Sequence, residues 1–301
     1  MGSGIYLIKN DGEFIELNEE LYDTEDVLQS LLEKYPNLLA GEQVDPDIPR
    51  KWLLVRREMG LPSELSGSPR WSIDHVFLDQ DGIPTLVEVK RSTDPRTRRE
   101  VVAQMLDYAA NAVTYWPVET VKDNFEETCR AKNLDPATEI ANFINPGIQE
   151  EQFWQTVKSN LHGGRIRLLF VADEIPSELR RVVEFLNEQM DPAEVLALEI
   201  KQYIGQGLKT LVPRVIGQTA EAQRRKLVLT GRSPAPNDRK NKIVLGLCEQ
   251  HLDQNHRQIY DENKEALTLQ GISRSTYYRC LQGEQCAHSL NRPAPEQLAT
   301  D

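Results

Sequence analysis

Asp74, Glu88 and Lys90 set two carboxylates and an ammonium within a short span of this chain. They lie in the stretch WSIDHVFLDQDGIPTLVEVKRSTDPRTRREVVAQMLDY, from Trp71 to Tyr108. Two carboxylates with an ammonium nearby suit a hard divalent cation, because Mg²⁺ takes a few carboxylate oxygens together with waters and phosphate oxygens. Asp74, Glu88 and the carbonyl of Val89 can supply such oxygens. Lys90 can orient or help deprotonate an attacking water and offset charge on a scissile phosphate. A hairpin held by packing alone has no need of two acids and a lysine, since desolvating them is costly unless they are paired or hold a metal.

The elements that must position these residues read as strand, tight turn, strand, helix. Asp81-Gly82 is a strong hairpin signal between two runs rich in Ile, Val, Phe and Leu, and Pro84 opens the second strand. A turn centred there sets Asp74 opposite Glu88, to within one residue of register. Alternation puts Leu86, Glu88 and Lys90 on one face and Thr85, Val87 and Val89 on the other. It also turns His75 away from Asp74, which makes His75 structural. Downstream, Thr93-Asp94-Pro95 reads as a helix start, and Gln104 and Tyr108, four residues apart, share one face of that helix.

At these residues the sequence resembles the PD-(D/E)XK nuclease superfamily, whose core motif is an acid on one strand and D/E-x-K on the next. Here the motif is Asp74 followed by Glu88-Val89-Lys90. The match of Gln104 and Tyr108 is to the Gln-x-x-x-Tyr helix of the RecB-like and NucS-like members. An acid at the start of a helix near the N-terminus, seen in the NucS-like lineage, is matched by Glu25 in TEDVLQSLLEKYPNLL. Ile73 stands where the superfamily name has proline, a position that varies. The resemblance implies a restriction-endonuclease-like core, a mixed central sheet flanked by helices, and Mg²⁺- or Mn²⁺-dependent hydrolysis of DNA phosphodiester bonds. It further implies that Gln104 and Tyr108 shape the site or touch the substrate, and that Glu25 makes a contact behind the ligands or to a second metal. On spacing alone, Glu25 is equally a favourable acid in a first helical turn. Many members dimerise to cut both strands, so a homodimer stays open.

The composition sets the wider bounds. The chain has 301 residues, 39% hydrophobic and 27% charged, enough for one large domain or two modest ones. It holds no run of about 18 apolar residues and no apolar secretory segment near Met1, which reads as a cytoplasmic protein without a membrane partner. A net charge of -12 argues at first against nucleic acid. Its distribution changes that. From Gln223 to Arg279 there are 11 Lys and Arg against 6 Asp and Glu, a balance of +5. A basic C-terminal part is compatible with a DNA partner. The spacing of Cys248, Cys280 and Cys286 with His251 and His288 matches no common zinc pattern.

Taken in order, residues 5–17 alternate around Asn10-Asp11-Gly12 as a small hairpin. A helix starts near Thr24 with an apolar stripe from Val27 to Leu39. Residues 52–59 form a first core strand. Arg91, Arg96, Arg98 and Arg99 crowd the start of the next helix, either as a solvated face or as a phosphate-contacting rim. The α/β nuclease-like domain is expected over 1–205, with a helical insertion at about 117–163 and a β-α-β unit at 165–203. A linker is expected over 206–240 and a small all-α, helix-turn-helix-like domain over 241–290, with a disordered tail at 291–301. Within GISRSTYYRCLQG, Arg274, Tyr277 and Arg279 are placed to meet DNA if that short helix enters a groove; a protein-interaction cap is the other reading. Two further functions stay open for the acidic cluster: a DNA-binding module without cleavage, and a structural salt bridge between Lys90 and the two acids. The second leaves one surplus negative charge, which favours a cation.

Overall fold

The computed structural model describes residues 4–10, 12–62, 69–93, 100–219 and 256–269, and Tyr277. The chain reverses between Lys9 and Glu13, so that β1 (Ile5–Ile8) pairs antiparallel with β2 (Phe14–Glu20). Helix α1 (Glu25–Lys34) begins as its capping residues dictate, with Thr24 Oγ1 accepting the Val27 N–H at 3.3 Å and Glu25 and Asp26 in the first turn. The apolar stripe read as far as Leu39 does not stay in one helix. Pro36 cannot continue the hydrogen-bond ladder, and the chain passes into a 3-10 turn (Pro36–Leu39) and the short α2 (Gly41–Val44).

The three strands that follow are β3 (Trp52–Pro62), β4 (Pro69–Asp79) and β5 (Pro84–Lys90), all antiparallel neighbours. The β4–β5 turn sits where Asp81-Gly82 predicts it. Gly82 adopts φ +68°, and a Cβ there would stand 3.2 Å from the backbone and side chain of Val157, so only glycine fits without strain. Asp79 Oδ1 accepts the N–H groups of Asp81 and Ile83 at 3.0 and 2.9 Å and closes the turn from inside.

Four helices come next: α3 (Glu100–Tyr115), α4 (Val118–Ala131), α5 (Pro136–Phe143) and α6 (Glu150–His162). The β-α-β unit is present as β6 (Arg167–Ala172), α7 (Ser177–Gln189) and β7 (Glu194–Gly205), with β5, β6 and β7 parallel. The expected linker from 206 opens instead on a strand, β8 (Leu208–Ile216), antiparallel to β7. Gln206 and Gly207, both at positive φ, make the two-residue turn between them. Pro213 and scattered charges disguise the alternation of β8, and a strand on the flank of β7 tolerates both.

The result is an α/β fold with an open, mixed eight-stranded sheet, ordered β1-β2-β7-β6-β5-β4-β3 with β8 on the other side of β7. Helices cover both faces, which is why β5 and β6 are buried almost throughout. On one face Val76, Leu86 and Phe170 pack against α3, α4, α6 and α7 through Met105, Phe125, Trp154 and Val183. The helices of 117–163 therefore contribute to the main core. Asn160 of α6 ties them to the sheet by donating to the Asp81 and Gly82 carbonyls at 3.0 and 2.8 Å. On the other face Val87, Val89, Val171 and Leu198 pack against Leu28 and Leu32 of α1.

A second compact unit covers Leu227–Asp301. Its described elements are α8 (His256–Glu262) and α9 (Lys264–Leu269), with Tyr260 and Tyr277 in ring contact at 5.3 Å. Residues 241–255 of the expected all-α domain, most of GISRSTYYRCLQG and the tail lie outside the described residues. No helix among the described residues is long and apolar enough to cross a membrane.

Candidate functional site

The hairpin register fixes the geometry from which the site is built. His75 pairs with Val87, so the next pair is Asp74 with Glu88. There the main-chain ladder gives way to a side chain, because Asp74 Oδ2 accepts the Val89 N–H at 2.7 Å. Glu88 is only 2% exposed. Its Oε1 accepts from Lys90 Nζ at 2.9 Å and from Gln104 Nε2 at 3.0 Å, while its Oε2 is buried with no hydrogen-bond partner. Lys90 Nζ also donates to the Val89 carbonyl at 3.0 Å and lies 3.7 Å from Glu25 Oε2. Glu25, the first residue of α1, reaches the end of β5, where its Oε1 accepts the Arg91 N–H at 3.4 Å. Gln104 and Tyr108 of α3 hydrogen-bond each other, and the Tyr108 hydroxyl donates to the Ser72 carbonyl of β4 at 3.1 Å. The Gln-x-x-x-Tyr pair thereby braces α3 against both strands that carry the acids.

Burial and charge set the protonation of the cluster. Desolvation, and then the neighbouring Asp74 carboxylate, raise Glu88 to about 7. Asp74 is likewise raised by burial, against the pull of the Val89 N–H and of Lys90. Burial works against the Lys90 ammonium, but Glu88 and the other acids outweigh it and its pKa rises. Lys90 is thus a firmly held cation, suited to offsetting charge rather than to taking a proton. Burial raises the Tyr108 phenol too.

Of the residues expected at the site, Asp74, Glu88, Lys90, Gln104 and Tyr108 come together, and Glu25 joins them through Lys90 and Arg91. Arg91 lies half-buried beside Glu25. Arg96, Arg98 and Arg99 lie outside the described residues, as do Arg274 and Arg279. Tyr277 is fully buried against Tyr260, a packing position. His75 is fully buried on the α1 face, stacked on Phe77, and burial lowers its pKa to about 4.

Two residues not singled out from the sequence also belong here. Gln29, one turn beyond Glu25 on α1, hydrogen-bonds toward Asp74 and lowers it. The signal for it was the i, i+4 spacing from Glu25. Asp173, just past β6, accepts the N–H groups of Ser92 and Glu174 through Oδ1 at 2.7 and 3.0 Å, fixing the chain as it leaves β5. Parallel pairing of Lys90 with Ala172 is what brings it there.

Among the described residues no group of three or more His, Cys, Asp or Glu is arranged to hold a metal ion. Single features still suit a hard cation: a buried carboxylate oxygen of Glu88 without a partner, with Asp74 opposite. The Val89 carbonyl is occupied by the lysine. Comparisons with protein-family models, with curated protein sequences and with solved structures find no match for the chain.

Proposed function

We propose that the chain is a metal-dependent nuclease of the PD-(D/E)XK type that hydrolyses DNA phosphodiester bonds at the Asp74, Glu88 and Lys90 cluster. The observation that carries this reading is the Glu88 carboxylate, buried to 2% exposure with one oxygen lacking any partner and its pKa raised to about 7. Two acids and one ammonium leave a surplus negative charge, and an unmatched buried charge is costly unless a cation meets it. Asp74 and Glu88 would hold Mg²⁺ or Mn²⁺. When bound, such an ion supplies Lewis-acid charge and a more acidic water.

The chain's own groups have separable roles. Lys90 carries its positive charge to the edge of the cluster, where it offsets charge developing on a phosphate. Gln104 holds the Glu88 carboxylate from the α3 side, and Tyr108 fixes Gln104 through the Ser72 carbonyl. Glu25 steadies both Lys90 and the Arg91 main chain. Arg91, Arg96, Arg98 and Arg99 supply a basic stretch next to the acids in sequence, suited to phosphate contacts. The basic segment from Gln223 to Arg279 is proposed to add DNA affinity through a helix-turn-helix-like domain.

A second reading is favoured by one contact. Lys90 lies 2.9 Å from Glu88 and 3.7 Å from Glu25, so an internal ion-pair cluster on a nuclease fold, silent in catalysis, would use the same residues. The discriminating experiment incubates the full chain with linear, nicked and single-stranded DNA in Mg²⁺ or Mn²⁺. Cleavage by wild type and its loss in Asp74→Ala, Glu88→Ala and Lys90→Ala, with circular dichroism unchanged, supports the nuclease. Cleavage by Glu88→Ala at the wild-type rate would remove the site assignment.

A further inference from the structure

The first hairpin presents an edge that the rest of the described fold leaves open. β1 is the outermost strand of the sheet, and it reads Ile5-Tyr6-Leu7-Ile8, with no charge, proline or bulge of the kind that blunts an edge. Tyr6, Ile8 and Phe14 are 63%, 66% and 66% exposed. Phe14 pairs with Ile8 on β2, and Glu16 pairs with Tyr6, so all four share the face turned away from Ile15 and Leu17. The hydrogen-bond alternation tells which backbone groups are unused. Lys9 donates to the Glu13 carbonyl at 2.9 Å, so Leu7 and Ile5 turn their N–H and C=O toward β2. Tyr6 and Ile8 therefore point theirs outward, where no described strand lies.

The geometry points to a second copy of this chain as the occupant, with β1 pairing antiparallel with its twin across a twofold axis to join the two sheets. A twofold perpendicular to the sheet keeps each face on its own side, so only residues of the same face can oppose each other. The register that uses the outward groups of Tyr6 and Ile8 sets each Tyr6 opposite the Ile8 of the other copy and places Leu7 on the axis. Its central pairs are apolar: two aromatic to β-branched pairs on the open face, extended by Phe14 on both sides, and a Leu7 pair on the other, with each Ile5 facing the aliphatic stem of Lys9 of the other copy at the ends. No like charges meet. Lys9, the first charge beyond the strand, is already paired with Glu13 at 2.6 Å. An unrelated peptide could fill the edge but would have to supply this pattern by chance, whereas the strand itself supplies it.

The test is the mass of the full chain by sedimentation equilibrium from 1 to 100 µM. A dimer of twice the 34.4 kDa chain mass is expected for the wild type. Ile8→Pro removes an outward N–H without touching the β1–β2 ladder, and it is expected to halve the mass while the melting temperature at low concentration stays unchanged. As a check that does not rely on that variant folding, Leu7→Cys is treated with oxidised glutathione. Residues facing each other as a non-hydrogen-bonded pair lie about 4.5 Å apart at Cα, within disulfide reach. A disulfide-linked dimer well above the wild-type background supports the pairing. A monomeric wild type at every concentration, or a dimer indifferent to Ile8→Pro together with no added cross-linking in Leu7→Cys, overturns it.

Discussion

Replacing Glu88 by Gln separates a functional site from a structural ion pair, because the two make opposite demands on stability. In the metal-free protein the folded Glu88 titrates at about 7 against an ordinary 4.5, through burial first and the Asp74 charge second, with Lys90 already counted. A carboxyl raised on folding is favourable to the fold while protonated. Its contribution is complete below pH 4.5 and is lost as the pH rises through 7. At about 1.4 kcal/mol for each pH unit between the two midpoints, the ionised carboxylate costs the fold on the order of 2–3 kcal/mol at pH 8. Glu88→Gln removes that charge while Lys90 keeps Glu25 at 3.7 Å and Asp74 nearby. Urea unfolding in EDTA, followed by tryptophan fluorescence, is expected to show Glu88→Gln about 2 kcal/mol more stable than wild type at pH 8. The gap should close by pH 4.5. Added Mg²⁺ should then stabilise the wild type and leave the variant unmoved. A Glu88→Gln protein less stable than wild type at pH 8 would instead make the Glu88–Lys90 contact a net structural bond.

Other expectations follow from the same contacts. His75, fully buried and lowered to about 4 by burial and by Arg57, stays neutral in the fold while the unfolded chain takes up its proton below about 6.5. Wild-type stability should therefore fall by up to about 3 kcal/mol between pH 6.5 and 4, and His75→Gln should flatten that slope in urea titrations. Asn160→Ala leaves the Asp81 and Gly82 carbonyls without their buried donor and should cost about 1–3 kcal/mol, read as a melting temperature lower by several degrees. Tyr108→Phe removes the hydroxyl that joins Gln104 to Ser72. It should lower kcat with little change in KM in a DNA cleavage assay, at a stability loss of about 1 kcal/mol.

Much of the site was legible because a turn of known type fixes a register. Asp81-Gly82 fixes the register in which His75 pairs with Val87, so that Asp74 and Glu88 stand at the next step of the hairpin, and period-two alternation sends His75 to the other face. The capping residues of α1 and the β-α-β unit were readable for the same local reasons. Other features depend on neighbours distant in sequence. The Asp74 side chain taking the Val89 N–H, and Asp173 fixing Ser92, follow from how strands diverge and which end of β6 lies beside β5. The role of Lys90 turns on burial balanced against three acids, which spacing does not report. β8 was hidden because its turn is Gln206-Gly207 rather than an Asn or Asp with glycine, and because Pro213 interrupts a charged alternation. The apolar stripe overruns α1 because leucines continue past Pro36, where the helical hydrogen-bond ladder ends.

Asp74 and Glu88 are proposed to hold a divalent cation together. Calorimetric titration of Mn²⁺ into the purified full chain and into Asp74→Ala and Glu88→Ala tests this most directly. A saturable binding heat is expected in the wild type, and its loss in each variant. Equal binding in all three proteins, or none in the wild type, would contradict it.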